Sequence, residues 1–162
     1  MLKPGENSYV SMQEAAEYVK AHYLGRDSAR KSWDGLSPED QTTRLISACA
    51  DIETLPFTGR KSNAAQALAF PRLPAQYGKA QDIPQKVKDA QVELAMWMAD
   101  DKKSADRAQR KDLQEQGVKS FSVGNLSESY GDGGFGIKSV ALACSKSAAL
   151  LRPYLGGGYR VC

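Results

Sequence analysis

A mainly α fold, a small bundle of about four to five helices, is what this sequence predicts. Three observations carry that prediction. Behind Ile83-Pro84, the residues Val87, Ala90, Leu94 and Met98 form an apolar stripe at helical spacing. Ser11 with Glu14, and Ser37 with Pro38, are cap-and-start signatures for two earlier helices. The apolar share of 41% leans on alanine, which favours close packing of helix on helix. At 162 residues the chain suits one compact domain with a real core. The expected layout is one helical domain over residues 1–151, then a flexible C-terminal tail over 152–162. A short β-hairpin or extended loop and a glycine-rich segment, within 118–136, precede the last helix.

Residues 1–8 are polar, with Pro4-Gly5, and read as a loose arm. Met12, Ala15, Val19 and His22 line one face of helix one, which Gly25 stops. His22 is the only histidine and reads as structural, because no nucleophile with an orienting partner accompanies it. Arg26 to Leu36 is short and charged. Its one large apolar group, Trp33, packs on the core edge or at a subunit interface. The helix capped by Ser37 buries Leu45, Cys49 and Ile52 before Pro56 ends it, so Cys49 is a small core residue.

Gly59-Arg60-Lys61-Ser62 lacks both the first glycine and the Gly-Lys step of a phosphate loop. Asn63 to Leu68 leads by a helical turn into a corner at Phe70-Pro71, since proline donates no N–H and holds its predecessor extended. That leaves Phe70 as an aromatic anchor with Arg72 just beyond. Pro84 reads as the first residue of the patterned helix, and Trp97 widens its stripe. Charges then alternate to Gly117 as a solvated helix tail. Val118 to Val123 reads as a strand, with Asn125 to Tyr130 as its hairpin partner or an extended loop. Gly131, Gly133, Gly134 and Gly136 match a dinucleotide fingerprint in form only, because no apolar parallel strand precedes them. They read as a hinge. The last helix runs from Ile137 to Leu151, and Pro153 stops it. After it, three glycines lead to Tyr159, Arg160 and Val161, either a disordered end or a partner-docking tail.

Composition narrows the function classes. The net charge of +3 is mildly basic, and Lys and Arg look interleaved with acids, a weak electrostatic case for DNA as main partner. Cys49, Cys144 and Cys162 are odd in number and share no zinc spacing, which points to a reducing compartment. No apolar run approaches the roughly 18 residues that span a bilayer. No catalytic constellation stands out and no cofactor or metal is expected, so the chain reads as a binding or assembly protein and not as an enzyme.

Tyr9-Val10-Ser11, then Gln66 to Arg72, then Ile83-Pro84 with Val87, Ala90, Glu93, Leu94 and Ala95, resemble a family of small tailed-phage proteins. These are head-tail connector (adaptor, or head-completion) proteins, often labelled DnaT-like ssDNA-binding. The resemblance covers roughly residues 8–100 and past Ala99 rests on layout alone. It implies a structural virion protein forming a ring, usually of twelve copies, beneath the portal protein. Such a ring would extend the DNA channel and dock a neck, stopper or tail-completion protein, while packaged DNA passes without sequence readout. On that reading Arg152, Tyr154, Leu155, Tyr159, Arg160 and Val161 grip the portal. Phe70, Pro71, Arg72 and Trp33 form a structural corner or subunit interface. The alternative is a single-stranded DNA-binding protein of phage replication, which needs basic residues and exposed aromatics along one groove.

Overall fold

The computed structural model of the chain describes residues 1–73, 82–100, 120–123, 126–129 and 143–156. Its core is built around one helix, α4 (Gln85–Met98), which buries nine of its residues, from Val87 to Met98. From Ala90 to Met96 every residue of α4 is buried, because α4 packs against α3 (Pro38–Glu53) and α5 (Ser145–Leu151), with α1 (Met12–His22) and α2 (Ser28–Asp34) beside it. The described elements are mainly α, as expected, and no described helix is long and apolar enough to cross a membrane.

The helix heads form where the sequence places them. Ser11 accepts from the Glu14 N–H at 3.2 Å and Glu14 accepts from the Ser11 N–H at 2.7 Å, a closed capping box that starts α1. The Ser37 hydroxyl accepts from the Asp40 N–H at 3.1 Å, with Pro38 next in line, and α3 buries Leu45, Ala48, Cys49 and Ile52. Pro84 differs by one position: it is the N-cap and the helix begins at Gln85.

Other elements depart from the sequence reading. The charged segment after Gly25 contains the seven-residue helix α2, braced by an Arg30–Asp34 ion pair one turn apart, and Trp33 is a core residue at 3% exposure. The N-terminal arm is not loose at its end. Ser8, Tyr9 and Val10 are buried, because Gln91 on α4 reaches them: its carbonyl oxygen accepts from the Tyr9 N–H, and its amide donates to the Ser8 hydroxyl and the Leu45 carbonyl, each at 2.8 Å.

Two short antiparallel ladders complete the described elements. β1 (Arg60–Lys61) pairs with β2 (Arg72–Leu73), a pairing too short for periodicity to reveal. β3 (Ser120–Val123) pairs with β4 (Leu126–Ser129), with Val123 opposite Leu126, as the hairpin alternative required. After α5 the chain continues into a 3₁₀ turn, Arg152–Tyr154, with Pro153 inside it.

Candidate functional site

The corner expected at Phe70-Pro71 is present, joined by a cis peptide bond. Phe70 is buried and meets three rings edge to face: Phe57 at 4.8 Å, Tyr154 at 5.5 Å and Tyr9 at 6.1 Å between centroids. Such pairings align ring edges with electron-rich faces and add to the burial term. Glu53 ties the corner to α3 by accepting from the Ala69 N–H at 2.8 Å and from the Tyr9 hydroxyl. Burial, with the Glu53 carboxylate next in weight, raises the Tyr9 phenol far above its ordinary range, so Tyr9 stays a donor.

Arg72 has a different job from a surface cation. Its guanidinium donates to the carbonyls of Thr58 at 2.7 Å, Phe57 at 3.2 Å and Ala69 at 3.3 Å, and also to that of Gly59. That fork stitches residues 57–59 to the corner at Phe70-Pro71 and sets up the β1–β2 ladder, while Trp33 is buried elsewhere on α2.

The segment 152–156 closes against the same corner. Thr58 donates to the Tyr154 carbonyl, Phe57 and Leu155 form a β-bridge, and the Gly156 N–H reaches the Pro56 carbonyl at 3.2 Å. Tyr154 and Leu155 are core residues at 4% and 8% exposure, while Arg152 is exposed. Tyr159, Arg160 and Val161 lie outside the described residues, as do Gly131, Gly133, Gly134 and Gly136.

That closure brings together two stretches with an unusual charge pattern. No Asp or Glu occurs between Glu53 and Asp82, and none follows Asp132. Those two stretches hold eight of the chain's 22 Lys and Arg residues and none of its 19 acids, which leaves fourteen cations against nineteen acids elsewhere. The interleaving of charges read from the whole sequence therefore fails in these places. Counting acids stretch by stretch would have exposed the pattern; averaging over the chain hid it.

On the segments 57–61, 72–73 and 152–156, which these contacts join, Arg60, Lys61 and Arg152 are exposed. Lys61 donates to the carbonyls of Gln66 and Ala67 at 3.2 Å, and no carboxylate pairs with any of the three among the described residues. Cations held on a short ladder and a 3₁₀ turn, paired with no carboxylate among the described residues, suit a polyanion. No three His, Cys, Asp or Glu side chains gather for a metal among the described residues.

The model of a family described as "Putative DnaT-like ssDNA binding protein" matches residues 1–162. No curated protein and no solved structure matches the chain. The family match corrects the connector reading. The segments that suggested a phage adaptor serve the fold: Tyr9-Val10 seats on Gln91, and Gln66 to Arg72 is the cis-proline corner. A family described by single-stranded DNA binding overturns the head-tail connector and virion-ring assignment. The portal protein, the neck or tail-completion protein, the self-assembled ring and packaged DNA passing through a channel are withdrawn as partners. The portal-gripping role given to Arg152, Tyr154, Leu155, Tyr159, Arg160 and Val161 goes with them.

Proposed function

Because this chain belongs to the family described as DnaT-like ssDNA binding proteins, we propose that it binds single-stranded DNA, gripping the phosphate backbone with exposed cations of its two acid-free stretches. The observation that carries the reading is the packing of the two acid-free stretches against each other through Thr58 and Tyr154. Arg60, Lys61 and Arg152 are the phosphate contacts. Arg72, spent on carbonyls, is their support. Backbone contacts of this kind carry no sequence information, so binding is general. The protein binds and performs no chemistry.

Cations that neutralise phosphates release condensed counterions, and for a single strand the log affinity falls with log salt by about 0.7 per contact. Fluorescence anisotropy with a labelled oligonucleotide, titrated with sodium chloride, reads this directly. The triple reversal Arg60→Glu, Lys61→Glu, Arg152→Glu is expected to weaken binding at least about tenfold and flatten the slope by about 2. Lys86→Glu, on the exposed start of α4, is the matched control and leaves the slope nearly unchanged. No binding by the wild type at low salt, or a triple variant with the wild-type slope, refutes the proposal.

A further inference from the structure

The geometry points to a base-stacking platform on the face where α1 meets α5, with His22 as the ring that receives a nucleobase. This inference rests on single-stranded DNA as the ligand and assigns the half of the site that the phosphate contacts leave open. His22 is exposed, and its ring lies nearly parallel on Tyr18, at 4.0 Å between centroids and 19° between planes. Its Nδ1 sits 2.9 Å from the Tyr18 carbonyl, which fixes the ring's orientation. One face of the imidazole is therefore covered by Tyr18, and the other is the solvent side. A flat base laid there extends an existing two-ring stack.

The support beneath is rigid. Glu93 of α4 is buried at 5% exposure and accepts from the hydroxyls of both Tyr18, at 2.8 Å, and Tyr23. Lys146 of α5 donates to the Tyr23 hydroxyl at 2.8 Å, sits 4.4 Å from the centre of that ring and pairs with Glu93 at 3.7 Å. Two tyrosine rings are pinned from below, so the stacked pair is ordered before any ligand arrives, and preorganisation lowers the cost of binding.

Continuity with the phosphate end comes through α5. Lys146 and Ala149 on α5 and Arg152 at the start of the 3₁₀ turn that follows are exposed at every third position, with no acid between them, over an axial rise of roughly 9 Å. Lys146 marks the aromatic end of that row and Arg152 the basic end. A strand crossing it meets cations and then a ring surface, the combination by which sequence-tolerant single-strand sites hold nucleic acid.

The test compares binding of a fluorescent oligonucleotide with that of an abasic strand of equal length, using the full chain at low salt. The wild type is expected to favour the base-bearing strand by about tenfold. His22→Ala removes the preference while binding the abasic strand as before, His22→Phe keeps it, and the melting temperature of His22→Ala stays at the wild-type value. Equal binding of the two strands by the wild type, or an undiminished preference in His22→Ala, overturns the platform while phosphate binding stands. A wild type that binds neither strand overturns both readings.

Discussion

Thr58 donates twice to the carbonyl oxygen of Tyr154, through its backbone N–H at 2.9 Å and through its hydroxyl at 3.1 Å. The two residues are 96 positions apart, so this contact turns two distant acid-free stretches into one surface. It also places the Tyr154 ring against Phe70, which already holds Phe57 and Tyr9. A charge pattern that is diffuse along the chain becomes local only through that closure.

Phe70 is thus the residue on which the site's frame depends. Phe70→Ala removes the ring that three others touch and is expected to cost about 3–5 kcal/mol, as for other buried aromatic truncations. Phe70→Leu fills part of the volume and should cost clearly less. Urea unfolding of the two variants measures both; equal, small losses would show that the ring cluster contributes little.

Gln91 makes a prediction of another kind. It is fully buried, and its side-chain amide bonds to Tyr9, Ser8 and Leu45 at the centre of the bundle. Gln91→Leu keeps the bulk but leaves the Tyr9 N–H without its acceptor, at about 1–3 kcal/mol for that buried group, and takes from the Leu45 carbonyl only a second donor beside its helical one. The variant should also loosen the N-terminus, read as faster amide exchange at Ser8, Tyr9 and Val10. Wild-type exchange there would place the anchoring of that segment elsewhere.

Much of the bundle is legible in the sequence because its signals are local. The capping box of Ser11 and Glu14, the Ser37-Pro38 start and the stripe on α4 each lie within one or two turns. The helix α2 escapes because seven residues give too few repeats, and its N-cap Asp27 makes no side-chain cap bond. The β1–β2 ladder escapes because what holds it is Arg72 on four carbonyls, which no hydrophobic period encodes. Tyr154 and Leu155 read as tail because three glycines follow closely, whereas their partners Thr58 and Phe57 lie almost a hundred residues earlier. The platform is hidden for the same reason, since Tyr18, Glu93 and Lys146 meet only once α1, α4 and α5 pack.

Cys49 tests the core on α3 chemically. Its thiol is buried, and burial, with the nearby Glu53 carboxylate second, pushes its pKa up to about 12. The thiolate is the nucleophile, so at about pH 8 folded Cys49 should resist iodoacetamide and react promptly once urea opens the chain. Mass mapping of the labelled peptide reads this residue alone. The sign also follows: a thiol raised above its unfolded value, about 8.5, stabilises the fold below that pH. That contribution is lost as pH climbs from there towards about 12. Labelling of Cys49 in the folded protein at the unfolded rate would contradict its burial.

Glu14 sets the acid side. Its carboxylate takes a hydrogen bond from Lys88 at 2.7 Å and one from the Ser11 N–H at 2.7 Å, and these hold its pKa below the ordinary 4.5, the Lys88 bond most of all. A carboxyl depressed in the folded state stabilises above its unfolded pKa, and that stability is lost as pH falls through the folded value. The pair is partly exposed, so solvent screens it and the effect is small, about a few tenths of a kcal/mol. Glu14→Gln keeps an oxygen for the Ser11 N–H and loses the charge, so its melting temperature should sit slightly below wild type near neutral pH. The two should converge as pH drops well below 4.5, where Glu14 is itself protonated, and also at high salt, which screens the ion pair. A gap that persisted undiminished in acid would assign the effect to the cap geometry at Ser11 and not to the charge shared with Lys88.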